Sequence, residues 1–390
     1  MIGSMKQLGV YIHIPFCVKK CIYCDFLSAP ADDATKVAYM KALNEEIKAV
    51  AQDYREYEVQ TVFFGGGTPS CIDDGLLADC LKTVKESFHI ASDAEISMEC
   101  NPGTVGSDGE KKFENLLHAG VNRLSIGLQS AQDDELRMLG RIHTFDDFLN
   151  TYKAAQRAGF ENINIDLISA LPGQSLETWQ KTLKAVVACN PCHISVYSLI
   201  VEENTYLSDH ISQYPSLPDE DTDRMMYRET NRILAEHGYR RYEISNYAKK
   251  GFESRHNQIY WQRGCDHIKN YIGLGLGASS TVENRRYQNT DDLAEYLQYC
   301  KTSAKLKCDE TVLSHTELME EFCFLGLRRM EGISISEFER TFGVSLESVY
   351  GTVLKKWSDA GCLAKKDGFW FLTEKGIDIS NMIFADFLAD

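Results

Sequence analysis

Six short apolar runs, separated by amphipathic stretches, fill the first two hundred residues and leave few folds open. The runs are Val10–Ile14, Val59–Phe64, Glu95–Met98, Arg123–Ile126, Asn162–Leu167 and His193–Ser198. Each has the length of a strand. Between them apolar residues recur at helical spacing: Val37, Met40, Leu43, Ile47 and Val50, then Leu77, Leu81, Val84 and Phe88. A third helical stretch carries Phe113, Leu116 and Leu117 and stops at Gly120; another carries Phe148, Tyr152 and Ala155 and stops at Gly159. Glycine just past the last helical residue is a stop signal, because it accepts the left-handed backbone that closes a helix. Alternating units of this kind predict an α/β chain with a parallel sheet and helices outside it, a partial (β/α)6 TIM-like barrel. Ligands of such folds sit at the C-terminal ends of the strands. Polar motifs should therefore follow the strands, and they do.

The segment Ser208–Asp223, with Pro215, Pro218 and an acidic cluster, reads as a connector out of the barrel. Helix and strand patterns resume from Arg224 to Tyr299, and a second polar connector spans Lys301 to Ser314. The remainder reads as three helices, a hairpin turning at Asp367-Gly368, and a further helix, the outline of a winged-helix-like module. It has no strong basic stripe, so it is expected to be a structural or partner-binding cap. The expected division is 1–215 for the barrel, 216–305 for an extension and 306–390 for the C-terminal helical module.

With 57 acidic against 41 basic side chains the net charge is −16, a poor match to a nucleic-acid backbone or an anionic membrane. No nucleic-acid partner is expected. No run of 18 apolar residues offers a transmembrane segment. The start lacks a signal-peptide pattern, and Met1–Ser4, ahead of a second start at Met5, are set aside. An odd count of 13 cysteines argues against a disulfide framework and for a reducing, cytoplasmic setting. Cys80 and Cys323, among apolar neighbours, read as core.

Three cysteines differ. Cys17, Cys21 and Cys24 stand at spacing x3 and x2 directly after the first strand. Three thiolates are one ligand short of a closed zinc site and one short of a fully capped four-iron cluster. Buried structural cysteines, or a zinc site completed by a distant histidine, are the alternatives. The pattern C-x3-C-x2-C, with the aromatic Tyr23 before the third cysteine, resembles the radical S-adenosylmethionine (SAM) superfamily. That resemblance implies a [4Fe–4S] cluster on Cys17, Cys21 and Cys24, with one iron left to chelate SAM. Reduction of the cluster would then cleave SAM to a 5′-deoxyadenosyl radical. Gly65-Gly66-Gly67-Thr68-Pro69 follows the second strand; its glycines allow close backbone approach, and it looks like the superfamily loop that binds the SAM amino group. Glu99, Gln129 and Asp166 close the third, fourth and fifth strands. Polar residues at consecutive strand ends read as a ligand cage. The resemblance assigns Glu99 to the ribose hydroxyls and Gln129, Arg141 and Asp166 to the remaining SAM contacts, with Tyr11 close enough to contribute.

Tyr11-Ile12-His13-Ile14-Pro15-Phe16-Cys17, Ile165–Gln174 and Leu372-Thr373-Glu374-Lys375-Gly376 look like the oxygen-independent coproporphyrinogen III oxidase group. True oxidases of that group have a further cysteine where this chain has Phe26, and a longer arm before the cluster. Arg255-His256-Asn257-Gln258-Ile259-Tyr260-Trp261 contains H-N-x-x-Y-W, the mark of the HemW-type haem chaperones within the group. The resemblance makes His256 a haem ligand, with Tyr and Trp as flat faces for a porphyrin. It implies a haem-accepting protein and an electron donor for the cluster as partners, with peripheral contact to membrane haem proteins. Where the family commonly has Ala-His-Ser after a Gly-rich run, this chain has Ala278-Ser279-Ser280, with a serine in place of the second histidine. The competing expectations are a coproporphyrinogen III oxidase and a haem-degrading methyltransferase; Phe26 and the H-N-x-x-Y-W motif favour the chaperone. No catalytic side chain is assigned. Cys189 and Cys192, spaced like a redox pair, follow a helix rather than open one and read as structural.

Overall fold

A computed structural model describes residues 5–106, 108–262 and 270–388; Met1–Ser4 lie outside them. The first half runs β1 (Lys6–Ile14), α1 (Asp33–Val50), β2 (Tyr57–Gly66), α2 (Asp74–Ser87), β3 (His89–Cys100), α3 (Gly109–Ala119), β4 (Arg123–Gln129), α4 (Asp133–Met138), α5 (Phe145–Arg157), β5 (Asn162–Ser169), α6 (Leu176–Ala188) and β6 (His193–Ser198). β1 to β6 pair in sequence order and all in parallel, as the β/α rhythm predicts. Short strands extend both edges: β7 (Arg240–Arg241) and β8 (Asn246–Ala248) beside β6, and β9 (Tyr271–Leu274), β10 (Ser279–Val282), β11 (Arg285–Asn289) and β12 (Lys307–Val312) beside β1. β9 runs parallel to β1, and the pairs beyond it are antiparallel.

Strand side chains alternate between two environments, the period-two consequence of the pleat. Leu8, Val10, Ile12 and Ile14 are fully buried in one apolar core with Leu43 and Ile47 of α1 and Leu77 and Leu81 of α2. Tyr11 and His13, between them, hydrogen-bond each other. The helices start where the sequence supplies caps: Asp32, Asp73, Thr144 and Ser175 each accept a backbone N–H of the first turn. Gly120 closes α3 at φ 107°, as its position predicts.

Buried polar links tie the extensions to the barrel. Glu46 of α1 accepts hydrogen bonds from Gly275 N, Asn289 Nδ2 and the Tyr296 hydroxyl, which anchors the β9–β11 segment. Its burial pushes the carboxyl up to about 7. Ser280, next to the serine that stands in the place of the family's second histidine, accepts the Gly273 N–H inside this sheet edge. On the other side, Trp179 of α6 donates to Thr230 of the helix Glu220–Glu236.

The two connectors hold more order than their composition suggests. The acidic cluster at 219–223 is a helix start: Asp219 caps Thr222 N, and Glu220, Asp221 and Asp223 lie in the first turn, where negative charge favours the helix dipole. The stretch 301–314 carries a helical turn, Ser303–Leu306, and the edge strand β12. β12 is exposed along nearly its whole length, so it lacks the apolar alternation that marks a strand. Beyond it, helices His315–Gly326, Ile335–Phe342 and Leu346–Asp359 enclose a second apolar core with the hairpin Leu363–Lys366 and Phe369–Leu372. A two-residue strand, Ile333–Ser334, also pairs with that hairpin. The module is joined to the barrel by Ile244 N to Arg328 O (3.1 Å) and Met330 N to Tyr242 O (3.0 Å). Among the described residues no helix is long and apolar enough to cross a membrane.

Candidate functional site

The cysteine loop leaves the C-terminal end of β1 and is pinned at both ends. Cys17 N donates to Ala29 O and Ala29 N to Pro15 O, closing the loop at its base. Ile22 N donates to Leu139 O, and Cys24 N to Cys21 O. Tyr23, the aromatic before the third cysteine, packs with Met138, Leu139, Ile168, Leu171 and Leu199 in a small apolar cluster behind the loop. The thiols face polar partners: Cys17 Sγ is 3.4 Å from Thr68 Oγ1, and Arg141 Nη1 is 3.5 Å from Cys21 Sγ. Burial raises the pKa of Cys24. Among the described residues no three His, Cys, Asp or Glu side chains are arranged around a single ion. A four-iron cluster asks something different, one thiolate for each of three separate irons. Three cysteines on one pinned loop, with Arg141 above Cys21, fit that demand.

The glycine loop packs tightly against the end of β1. Gly66 has φ +110°, and a Cβ there would sit 2.5 Å from the His13 ring. A Cβ on Gly67 would sit 2.6 Å from Phe16 O. The glycines therefore let β2 close against the end of β1. Gly67 N and Thr68 N donate to Ile14 O and Phe16 O, and Gly66 N donates to Glu99 Oε2 at 3.1 Å. Thr68 is a support for Cys17.

Glu99, Gln129, Arg141 and Asp166 are placed by β3, β4, the turn after α4 and β5. Gln129 has φ 72°, at a register shift between β4 and β5 that turns its side chain back over the barrel. A Cβ on Gly127 would lie 3.0 Å from Gln129 Nε2 and 3.3 Å from Arg141 Nη2, so these two groups converge over that glycine. Arg141 Nη2 also donates to Gly127 O at 2.7 Å. Glu99 is pushed up to about 8 by burial and by the charge of Asp166. Asp166 is raised by burial too, although Ser125 Oγ and Asn164 Nδ2 donate to it. It lies deeper, inside the barrel. Tyr11 hydrogen-bonds His13 Nδ1 and stacks on Phe63.

His256 lies inside the barrel. It is 1% exposed, with Nδ1 2.7 Å from Thr61 Oγ1 and Nε2 2.9 Å from Tyr260 Oη. Its ring stacks on Phe63 at 5.1 Å. Burial, with the nearby charge of Arg123, pushes its pKa down to about 3. Both ring nitrogens are engaged with hydroxyl groups in the fold. The short helix Arg255–Trp261 is the floor of the barrel. Ser254 caps it, and Arg255 N and His256 N donate to the Glu95 carboxylate at 3.0 Å each. Tyr242 joins this floor to His193, whose other nitrogen meets Asn164. Cys189 and Cys192 both have raised thiol pKa values from burial, in keeping with a structural role.

The strand motifs missed much of this interior: Thr61, Phe63, Glu95, Ser125, Asn164 and Tyr197 were not singled out. A signal existed. Glu95, Ser97 and Glu99, or His193, Ser195 and Tyr197, place polar groups at every second position, which marks a polar inner face.

The radical SAM superfamily domain is matched over residues 11–186 and the HemN C-terminal domain over residues 313–379. The solved structure of coproporphyrinogen III oxidase HemN from Escherichia coli superposes with a TM-score of 0.85 at 23% identity, covering 99% of this chain and 91% of that one. Fold, cysteine loop and polar cage together make this a radical SAM protein with the HemN architecture. Heme chaperone HemW of Lactococcus lactis is 34% identical over 386 residues, 99% of this chain and 98% of that protein. Heme chaperone HemW of Escherichia coli is 35% identical over 400 residues, 99% of this chain and all of that protein. The chain belongs to the HemW family.

Two predictions follow from the interior. Glu99 holds its proton in the fold up to about pH 8, whereas the unfolded carboxyl loses it near pH 4.3. The unfolded state therefore binds fewer protons between those values, and burying Glu99 costs increasing stability as pH rises. Glu99→Gln should gain in Tm relative to wild type from pH 5 to pH 8; a constant difference would show that Glu99 is ionised throughout. His256→Ala should lose about 2–4 kcal/mol in urea unfolding, since it leaves a cavity and strands Thr61 and Tyr260. A loss below about 0.5 kcal/mol would remove His256 from the floor.

Proposed function

We propose that this protein is a cytoplasmic haem chaperone that binds a [4Fe–4S] cluster, SAM and haem, and hands haem to an acceptor protein. The observation that carries the reading is similarity over the full length to relatives named haem chaperones, at about a third identity. The residues of the site support it. Cys17, Cys21 and Cys24 would hold the cluster, which when bound supplies an open iron for the amino and carboxylate groups of SAM. Arg141 lies beside Cys21, and Thr68 beside Cys17. Gln129 and Arg141 converge where an anionic or amide-binding ligand group can be met. Glu99 Oε1 takes no hydrogen bond from the described residues and remains an acceptor for a ribose hydroxyl, with Tyr11 and Asp166 below it. Gly66 and Gly67 hold the two strand ends together so that loop and cage share one face. The electron donor and the haem acceptor are the partners this function requires.

Reconstituted anaerobically, the wild type should hold about four irons per chain, and Cys21→Ala should lose the visible absorption of the cluster. Haem should bind stoichiometrically. With coproporphyrinogen III, SAM and a reductant, no carbon dioxide should form. Release of carbon dioxide at enzymatic rates, or absence of stoichiometric haem binding, would replace the chaperone reading with that of an oxidase or of another radical SAM activity.

A further inference from the structure

A cluster on Cys17, Cys21 and Cys24 must receive its electron from outside the chain, and the loop that carries these cysteines lies at the surface. Among the described residues Phe26 is the most exposed large apolar side chain, at 69%, and Val18 of the same loop is 56% exposed. A lone exposed apolar side chain is ordinary. This one, however, is held in place and sits beside a cysteine of the cluster site.

The backbone around Phe26 is fixed from several sides. Phe26 O accepts from Lys20 Nζ at 3.0 Å and from Ser28 Oγ at 3.3 Å. Leu27 O lies 2.9 Å from His13 Nε2; a carbonyl only accepts, so that nitrogen carries the proton and donates. Cys17 N donates to Ala29 O at 3.1 Å and closes the loop. Burial raises the Cys24 thiol, and the Phe26 N–H, which faces that sulfur, opposes the rise. One residue thus presents a ring to solvent and its peptide N–H to a thiol of the cluster site.

Charge marks the same tip. The chain carries a net charge of −16. Residues 185–223 hold seven carboxylates and no lysine or arginine, and Leu207 N, which donates to Ile22 O, sets that stretch against the loop. The loop has the opposite balance. Lys19 and Lys20 are exposed, and Asp25 is the one carboxylate between Cys17 and Ala29. A basic partner would be drawn to the acidic stretch. An acidic one is repelled by most of this surface and steered to the lysines. Electron transfer slows steeply with distance, so a donor has to seat close to the three cysteines. Encounters of this kind use small interfaces, and an exposed aromatic ring on a fixed backbone is a fitting anchor for one.

We propose that the tip of the cysteine loop, made of Val18, Lys19, Lys20 and Phe26, is the docking surface for the reductant. The partner is a small acidic protein with a low-potential one-electron centre. Its negative face meets the two lysines and an apolar patch covers Phe26. One electron leaves the donor, which is oxidised, and enters the cluster, which is reduced; no bond forms or breaks in the encounter. This rests on the reading that the three cysteines hold a cluster, and it adds the character and the seat of the electron donor.

The test mixes full-length, cluster-loaded protein anaerobically, by stopped flow, with fully reduced flavodoxin, an acidic one-electron flavoprotein. Dithionite, a small reductant that needs no docking surface, is used in parallel. With wild type the flavodoxin rate should saturate with flavodoxin concentration and fall between about 0.05 and 0.5 M salt. Phe26→Ala and Lys19→Glu should each slow reduction by flavodoxin about tenfold. Dithionite should reduce every variant at the wild-type rate, and iron content should not change. Met382→Ala, which removes a side chain 62% exposed on the C-terminal module, should match wild type with both reductants. If flavodoxin reduces wild type and both loop variants equally fast, the docking surface is overturned while the cluster reading stands. If dithionite reduces wild type and flavodoxin does not, the acidic donor is overturned. If wild type takes up no cluster, the cluster reading falls and the docking surface with it.

Discussion

The Glu95 carboxylate, buried inside the barrel, sets the terms for the rest of the structure. A charge in that position is tolerable only if donors surround it. Ser97 Oγ supplies one from two residues along the same strand, and the start of the helix Arg255–Trp261 supplies more from its N–H groups. Placing that helix under the barrel brings His256 onto Thr61 and Phe63, and Tyr260 onto His256. The H-N-x-x-Y-W motif is thereby a closure of the barrel floor. Arg123, 1% exposed, lies in the same interior, and its charge opposes the effect of burial on Asp166. The polar inner face is costly to bury, and the floor makes it affordable by completing its hydrogen bonds.

With the floor closed, chemistry is confined to the opposite end. There the close fit of Gly66 and Gly67 against β1 holds the cysteine loop beside the polar cage. Arg141 links the two: one nitrogen reaches Cys21 and another Gly127 O, next to Gln129. The carboxyls of this cage are held toward their neutral forms by burial, Glu99 most clearly. A ligand that brings hydroxyl or ammonium donors would draw them toward the charged form, so ligand binding and proton release are coupled. Four imidazoles, of His13, His143, His193 and His256, have pKa values lowered by burial. Each is unprotonated in the fold and gains a proton on unfolding in acid. Together they make the fold lose stability as pH falls below their unfolded value of about 6.5.

The two ends of the barrel thus divide structure from ligand binding. The extended segment after β6 reaches across to the cluster loop through Leu207 and leaves its aromatic and aliphatic side chains outward. The C-terminal module, with its own core, grips the floor through the backbone of Tyr242 and Ile244.

Local patterns in the sequence were enough for the β/α order, the helix stops at Gly120 and Gly159, the hairpin at Asp367-Gly368 and the cysteine loop, because each depends on neighbours a few residues apart. The superfamily and the family were legible for the same reason: their motifs are short and contiguous. What the glycines of residues 65–67 face, and whether His256 offers a nitrogen, depended on groups distant in the chain, such as His13, Phe16 and Thr61. Edge strand β12 escaped notice because exposure on both sides erases its alternation. Sequence by itself determined which chemical groups this protein owns and the order in which strands and helices appear. Only the tertiary structure decided which of those groups are spent on one another, because hydrogen bonds between residues nearly two hundred positions apart, such as His256 with Thr61, leave no trace in local spacing.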